Sequence, residues 1–140
     1  MNWLLLAIIT AIFYGMYNFF IKISSGHINQ VVGAVILQLV AAILGAITLF
    51  VLKLTGTEFN VSSKGVWFAI LAGAMVGVAE ILSFFVFSKG APVSVGTAII
   101  IGGSVVVAGI IGLFMKEDLG IINFLGILAI VVGIILFAAK

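Results

Sequence analysis

The chain has 140 residues, 65% of them hydrophobic and only 7% charged, where soluble proteins carry about 25% charged residues. A water-soluble domain of this size could not hide so much apolar surface, so the composition describes an integral membrane protein. Six basic residues against four acids leave a net charge of +2, too small and too scattered for a nucleic-acid partner. Cysteine is absent and His27 is the sole histidine, which excludes disulfides, thiolate nucleophiles and Cys or His metal clusters.

Five apolar runs follow one another, at about 2–21, 31–52, 66–87, 93–115 and 121–139. Each is near the roughly 20 residues that cross ~30 Å of hydrocarbon as a helix, and none alternates like a barrel strand. The reading is an all-α integral membrane protein, one domain over 1–140 with five transmembrane helices. The first run has no basic leader and no evident small-residue cleavage site, so it reads as a retained helix. It carries a stripe of Thr10, Tyr14, Tyr17 and Asn18 at helical spacing, followed by Lys22. Tyr14 is deep enough to stack on a ligand or donate a hydrogen bond, or to bond a neighbouring helix. Tyr17 reads as an interfacial aromatic, and Lys22 as a cation snorkelling to the headgroups. Asn18 is a candidate wall residue, although its place near a helix end also suits a wetted side chain.

The second run holds Gln38 beside Ala34, Ala41, Ala42 and Gly45. The third holds Glu80, the only charged side chain well inside an apolar run, on one helical face with Gly73 and Gly77. A charge at mid-membrane costs roughly 2.5–3.5 kcal/mol on insertion scales, so such a residue faces a bundle interior or cavity. Two roles are open for it: a proton- or cation-linked site, or a neutral carboxyl hydrogen-bonded within the bundle. The fourth run holds Thr97, Gly103 and Ser104, and the fifth is almost wholly apolar, with Gly126 and Gly133 one heptad apart. Gly73, Gly77 and Gly103 are read as helix-packing positions, where small residues let backbones approach. The fifth helix reads as packing or dimerisation surface.

Loop punctuation agrees with these limits. Lys89-Gly90-Ala91-Pro92 ends one helix and starts the next. Glu117 and Asp118 suit the positive end of the fifth helix as capping acids. With five spans, Lys53, Lys64 and Lys116 fall on one side and Lys22, Lys89 and Lys140 on the other. Orientation follows Lys/Arg asymmetry in short loops, and three against three gives none. Either finer details decide the orientation, or the chain inserts both ways and pairs as an antiparallel homodimer.

Enzymatic chemistry finds no footing. There is no Ser-His-Asp set, no H-E-x-x-H, no phosphate-binding loop and no dinucleotide fingerprint. No cofactor and no metal are expected, and the helices carry too few polar residues to line a channel.

Phe84-Phe85-Val86-Phe87-Ser88-Lys89-Gly90-Ala91-Pro92, then Glu117, Gly126 and Gly133, resemble the drug/metabolite transporter superfamily, specifically an EamA-like half. Phe13-Tyr14-Gly15 followed by Lys22 is similar to that family's aromatic-Gly and Lys signature. The likeness covers essentially the whole chain. It implies a carrier in which two five-helix halves of inverted topology make the working unit, with this chain as one half. Two copies in opposite orientations would rebuild the inverted repeat and place a site near the midplane. The expected function is a proton-coupled secondary transporter of small organic molecules or metabolites in the cell membrane, working by alternating access. Glu80 is its coupling group, and Tyr14, Asn18, Gln38, Thr97 and Ser104 are substrate-binding candidates. Glu80 is no family-wide signature. It is similar in kind to the intramembrane Glu of small multidrug resistance exporters, which lies on their first helix. The rival expectations are a lipid or isoprenoid-lipid flippase of the same fold, and a non-transporting scaffold or half-subunit.

Overall fold

The computed structural model describes residues 2–139; Lys140, counted in the charge balance, lies outside them. Five helices follow in order: α1 (Trp3–Ser25), α2 (Gln30–Leu54), α3 (Ser63–Ser88), α4 (Val93–Phe114) and α5 (Ile121–Ala138). All five are long and apolar enough to cross a membrane. Most of their large apolar side chains are exposed in the single chain, among them Leu39, Leu44 and Leu136. Such a surface is untenable in water and requires a lipid or protein neighbour.

The helix ends differ from the apolar limits because hydropathy marks the edge of the hydrocarbon, whereas the helix runs on until its backbone groups find a cap. The predicted first span stops at Ile21, but α1 continues to Ser25, whose hydroxyl donates to the Lys22 carbonyl at 2.9 Å. Asn29 caps α2, its side chain accepting from the Val31 and Val32 amides. Ser62 caps α3 and accepts from Gly65 at 3.1 Å, so that helix starts three residues before the apolar run.

The C-termini reuse one device. After α2, Gly56 takes φ 80° while Gly56 N–H donates to the Lys53 carbonyl and Thr57 N–H to that of Leu52. This is the Schellman arrangement, with glycine in the left-handed position. After α4, Lys116 N–H donates to Leu113 and Glu117 N–H to Gly112, both at 3.0 Å, but the left-handed residue is Lys116 at φ 59°. A non-glycine residue there costs roughly 1–2 kcal/mol. Lys116→Gly is therefore expected to stabilise the protein by about 0.5–1 kcal/mol, after allowing for glycine's greater loss of freedom on folding. The measurement is the thermal midpoint in detergent; an unchanged or lowered midpoint would refute the strain.

The same turn corrects the reading of Glu117 and Asp118 as capping acids. Gly120 is the N-cap of α5 and no side chain bonds there. The Glu117 side chain instead folds back over α4, with Oε2 2.8 Å from where a Cβ on Gly112 would stand.

The chain divides into two compact units: Met1–Phe19 with Gly90–Lys140, and Phe20–Lys89. In the second unit α2 and α3 pack as an antiparallel pair. Phe84 lies over Gly33, and Gln38 over Gly77. Around the first contact Ile21, Ser25, Gly33, Ala34, Ser83, Phe84 and Phe87 are all buried. In the first unit α4 and α5 form another antiparallel pair. Ile130 and Ile134 fill the space over Gly102, and Ile127 that over Gly109.

Within the single chain the glycines differ in their surroundings. Gly77 has a packing partner, but a Cβ on Gly73 or Gly103 would meet nothing within 4 Å. The notch on α4 is Gly102, one residue and about 100° around the helix from Gly103. Gly126 and Gly133 likewise face open space, and α5 packs through its isoleucines.

Candidate functional site

In the second unit, Gly77 sets the geometry around the acid. Lacking a side chain, it lets Gln38 lie on the α3 backbone, its Oε1 3.4 Å from a Cβ built at Gly77. Glu80 follows three residues later on the same face of α3. Glu80 is half-buried, and its Oε2 is buried with no hydrogen-bond partner among the described residues. Ser83, one turn further on, does not satisfy it, because its hydroxyl donates to the Ala79 carbonyl at 2.9 Å. A carboxyl in such a place must carry a proton, hold a cation or receive a donor from elsewhere. Of the two roles open in the sequence, the geometry within the unit supplies no hydrogen bond to Oε2.

In the first unit, Thr10, Phe13, Tyr14 and Tyr17 line a shallow cavity of about 160 Å³. They sit at i, i+3, i+4 and i+7 on α1, so one helix face builds the wall. The Tyr14 and Tyr17 rings meet edge to face with centroids 5.9 Å apart, a favoured aromatic geometry. Thr10 spends its hydroxyl proton on the Leu6 carbonyl at 2.8 Å, leaving an aromatic, uncharged lining. Asn18 is buried and not wetted, and its Nδ2 donates to the Tyr14 carbonyl at 2.8 Å. On α4, Thr97 is half-buried, and its buried Oγ1 has no hydrogen-bond partner among the described residues. Ser104 is exposed, and its hydroxyl donates to Ile101 within its own helix at 2.7 Å.

Two residues of α1 depart from expectation. Tyr17 is no interfacial belt residue: its hydroxyl is buried, without a partner among the described residues. Tyr14, by contrast, is half exposed. The signal in the sequence is that Tyr17 shares a helical face with Thr10 and Tyr14. Lys22 does not reach for the headgroups. Its Nζ donates to the Phe87 carbonyl in the last turn of α3, 3.1 Å away. A cation there meets the negative end of the helix, a partner that only the fold reveals.

Five spanning helices, an acid whose Oε2 has no hydrogen-bond partner among the described residues, and an aromatic cavity define a multi-pass membrane protein with polar groups held inside its spans. The chain matches the EamA-like transporter family over residues 1–139 and belongs to that family. It is thus a membrane transporter of the drug/metabolite type, in a family of transporters and not of enzymes. It is 30% identical over 135 residues to an uncharacterized protein of Methanocaldococcus jannaschii, covering 96% of this chain and 95% of that protein. No solved structure matches it significantly.

Proposed function

We propose that the protein is a proton-coupled secondary transporter of small organic molecules or metabolites, acting in the cell membrane as an antiparallel homodimer by alternating access. The observation that carries the coupling is Glu80, an intramembrane carboxyl whose Oε2 has no hydrogen-bond partner among the described residues. A group that exchanges a proton or a cationic substrate needs an oxygen that is not already committed. Gln38, lying against Gly77, is a polar side chain that its own unit supplies one turn before Glu80 along that face. Tyr14, Asn18, Thr97 and Ser104 are proposed as contacts for the transported molecule. Thr97 has the strongest support among them, through its uncommitted Oγ1.

The homodimer reading rests on the even split of lysines between alternate loops. Its test is the orientation of the C-terminus in native membranes, read with a tag after Lys140 and side-specific labelling. Signal from both faces is the expected result. Signal from one face alone would remove the inverted homodimer and require an oppositely oriented partner protein.

A further inference from the structure

We propose that Lys22 is the latch of a gate that seals one membrane face of the α1–α3 end of the protein. The idea rests on the transporter reading, but its test does not require transport. Burial in the unit of residues 20–89 is concentrated at one end. Ile21 and Ser25 come from the last turn of α1, Gly33 and Ala34 from the first turn of α2, and Ser83, Phe84 and Phe87 from the last turns of α3. The opposite halves of α2 and α3, from Leu39 to Leu54 and from Ser63 to Val76, are exposed throughout. Close side-chain packing in this unit is thus confined to one end of the helix pair.

The plug sets the Phe84 ring against Gly33, with Phe87 buried beside it. The only charge in it is the half-buried Lys22, whose ammonium donates to the Phe87 carbonyl across the α1–α3 seam. Among the described residues the seam has no ion pair, and a single hydrogen bond from a cation to a helix C-terminus is a modest contact. That is strong enough to favour the closed state and weak enough to be lost in each cycle. Ser25 helps to aim the side chain, because its hydroxyl bonds the Lys22 carbonyl and holds the last turn of α1 in helical form.

The chain contains no cysteine, so Ser83→Cys, buried beside the plug, gives a unique reporter in the full-length protein in membranes. Its reaction with a membrane-impermeant maleimide, applied to inside-out and right-side-out vesicles, reads opening of the seam. The expected results are slow labelling with Lys22 present, labelling about tenfold faster in Lys22→Met, and a near-native rate in Lys22→Arg, which keeps a donor for the carbonyl. Asn60→Cys in the exposed α2–α3 loop serves as the reference and should react at one rate in all three backgrounds. Two results would overturn the latch: equal Ser83→Cys rates in the native and Lys22→Met proteins, or native labelling as fast as the loop reference. If Lys22→Met fails to fold, a shifted elution volume in mild detergent shows it, and the comparison of Lys22→Arg with Lys22→Gln decides. Should Glu80 prove irrelevant to coupling, these rates are unaffected, so the two ideas fail separately.

Discussion

Glu80→Gln is expected to abolish proton-coupled transport while leaving the protein folded and assembled. The two side chains have nearly the same shape, so the helix pair α2–α3 keeps its packing, including the contact of Gln38 with Gly77. What changes is chemistry: an amide cannot take up and release a proton near neutral pH or neutralise a cation. In the native protein Oε2 of Glu80 has no hydrogen-bond partner among the described residues, so the amide breaks no bond within the unit and no large loss of stability follows. The measurement is proton movement in proteoliposomes containing a pH-sensitive dye, first with the native protein to find the compounds that release protons, then with the variant. Proton flux at the level of protein-free liposomes, with an unchanged elution volume in mild detergent, is the predicted outcome. Full coupled transport by Glu80→Gln would remove the acid from the mechanism and leave it as a structural carboxyl.

The architecture and the acid were both legible in the chain, for related reasons. A bilayer leaves no water to satisfy backbone groups, so long apolar runs must be helices. The same scarcity of polar partners makes a single carboxyl such as Glu80 conspicuous. Lys22 and Tyr17 were not legible, because what they do depends on which helix end or ring stands opposite. Composition would place a lysine and a tyrosine near a span end at the membrane interface, whereas the fold offers Lys22 a carbonyl on α3 and buries the Tyr17 hydroxyl. The surroundings of the glycines were hidden for a different reason. With 17 of them in the chain, spacing alone cannot tell which ones face a neighbour. Gly102 and Gly103 are adjacent, yet only Gly102 meets Ile130 and Ile134. The interhelical register decides between them, and it is set by side-chain shapes on α5.

Gly33→Ala is expected to destabilise the α2–α3 pair by about 1–3 kcal/mol, the usual cost of overpacking a filled site. A methyl group at Gly33 would stand 2.9 Å from Cδ1 and Cζ of Phe84 and closer still to Cε1. The ring has little room to retreat, because Phe84 is 2% exposed and its neighbours Ser83 and Phe87 are buried as well. In a membrane this contact weighs heavily, since lipid tails are as apolar as the side chains and helices associate through close van der Waals packing. The control is Gly73→Ala, in the middle of the same α3 but with nothing within 4 Å of the added carbon. Alanine there replaces the weaker helix former, so stability should hold or rise by about 0.5–1 kcal/mol. Thermal midpoints of the two variants in one detergent should therefore move in opposite directions. Phe84→Leu in the Gly33→Ala background should recover part of the loss, because the smaller side chain leaves room for the methyl group. Equal midpoints for Gly33→Ala and Gly73→Ala would mean that the glycine at the start of α2 is not the notch on which the two helices close. Phe84 would then have to be held by another contact, and the plug at that end would lose its structural basis.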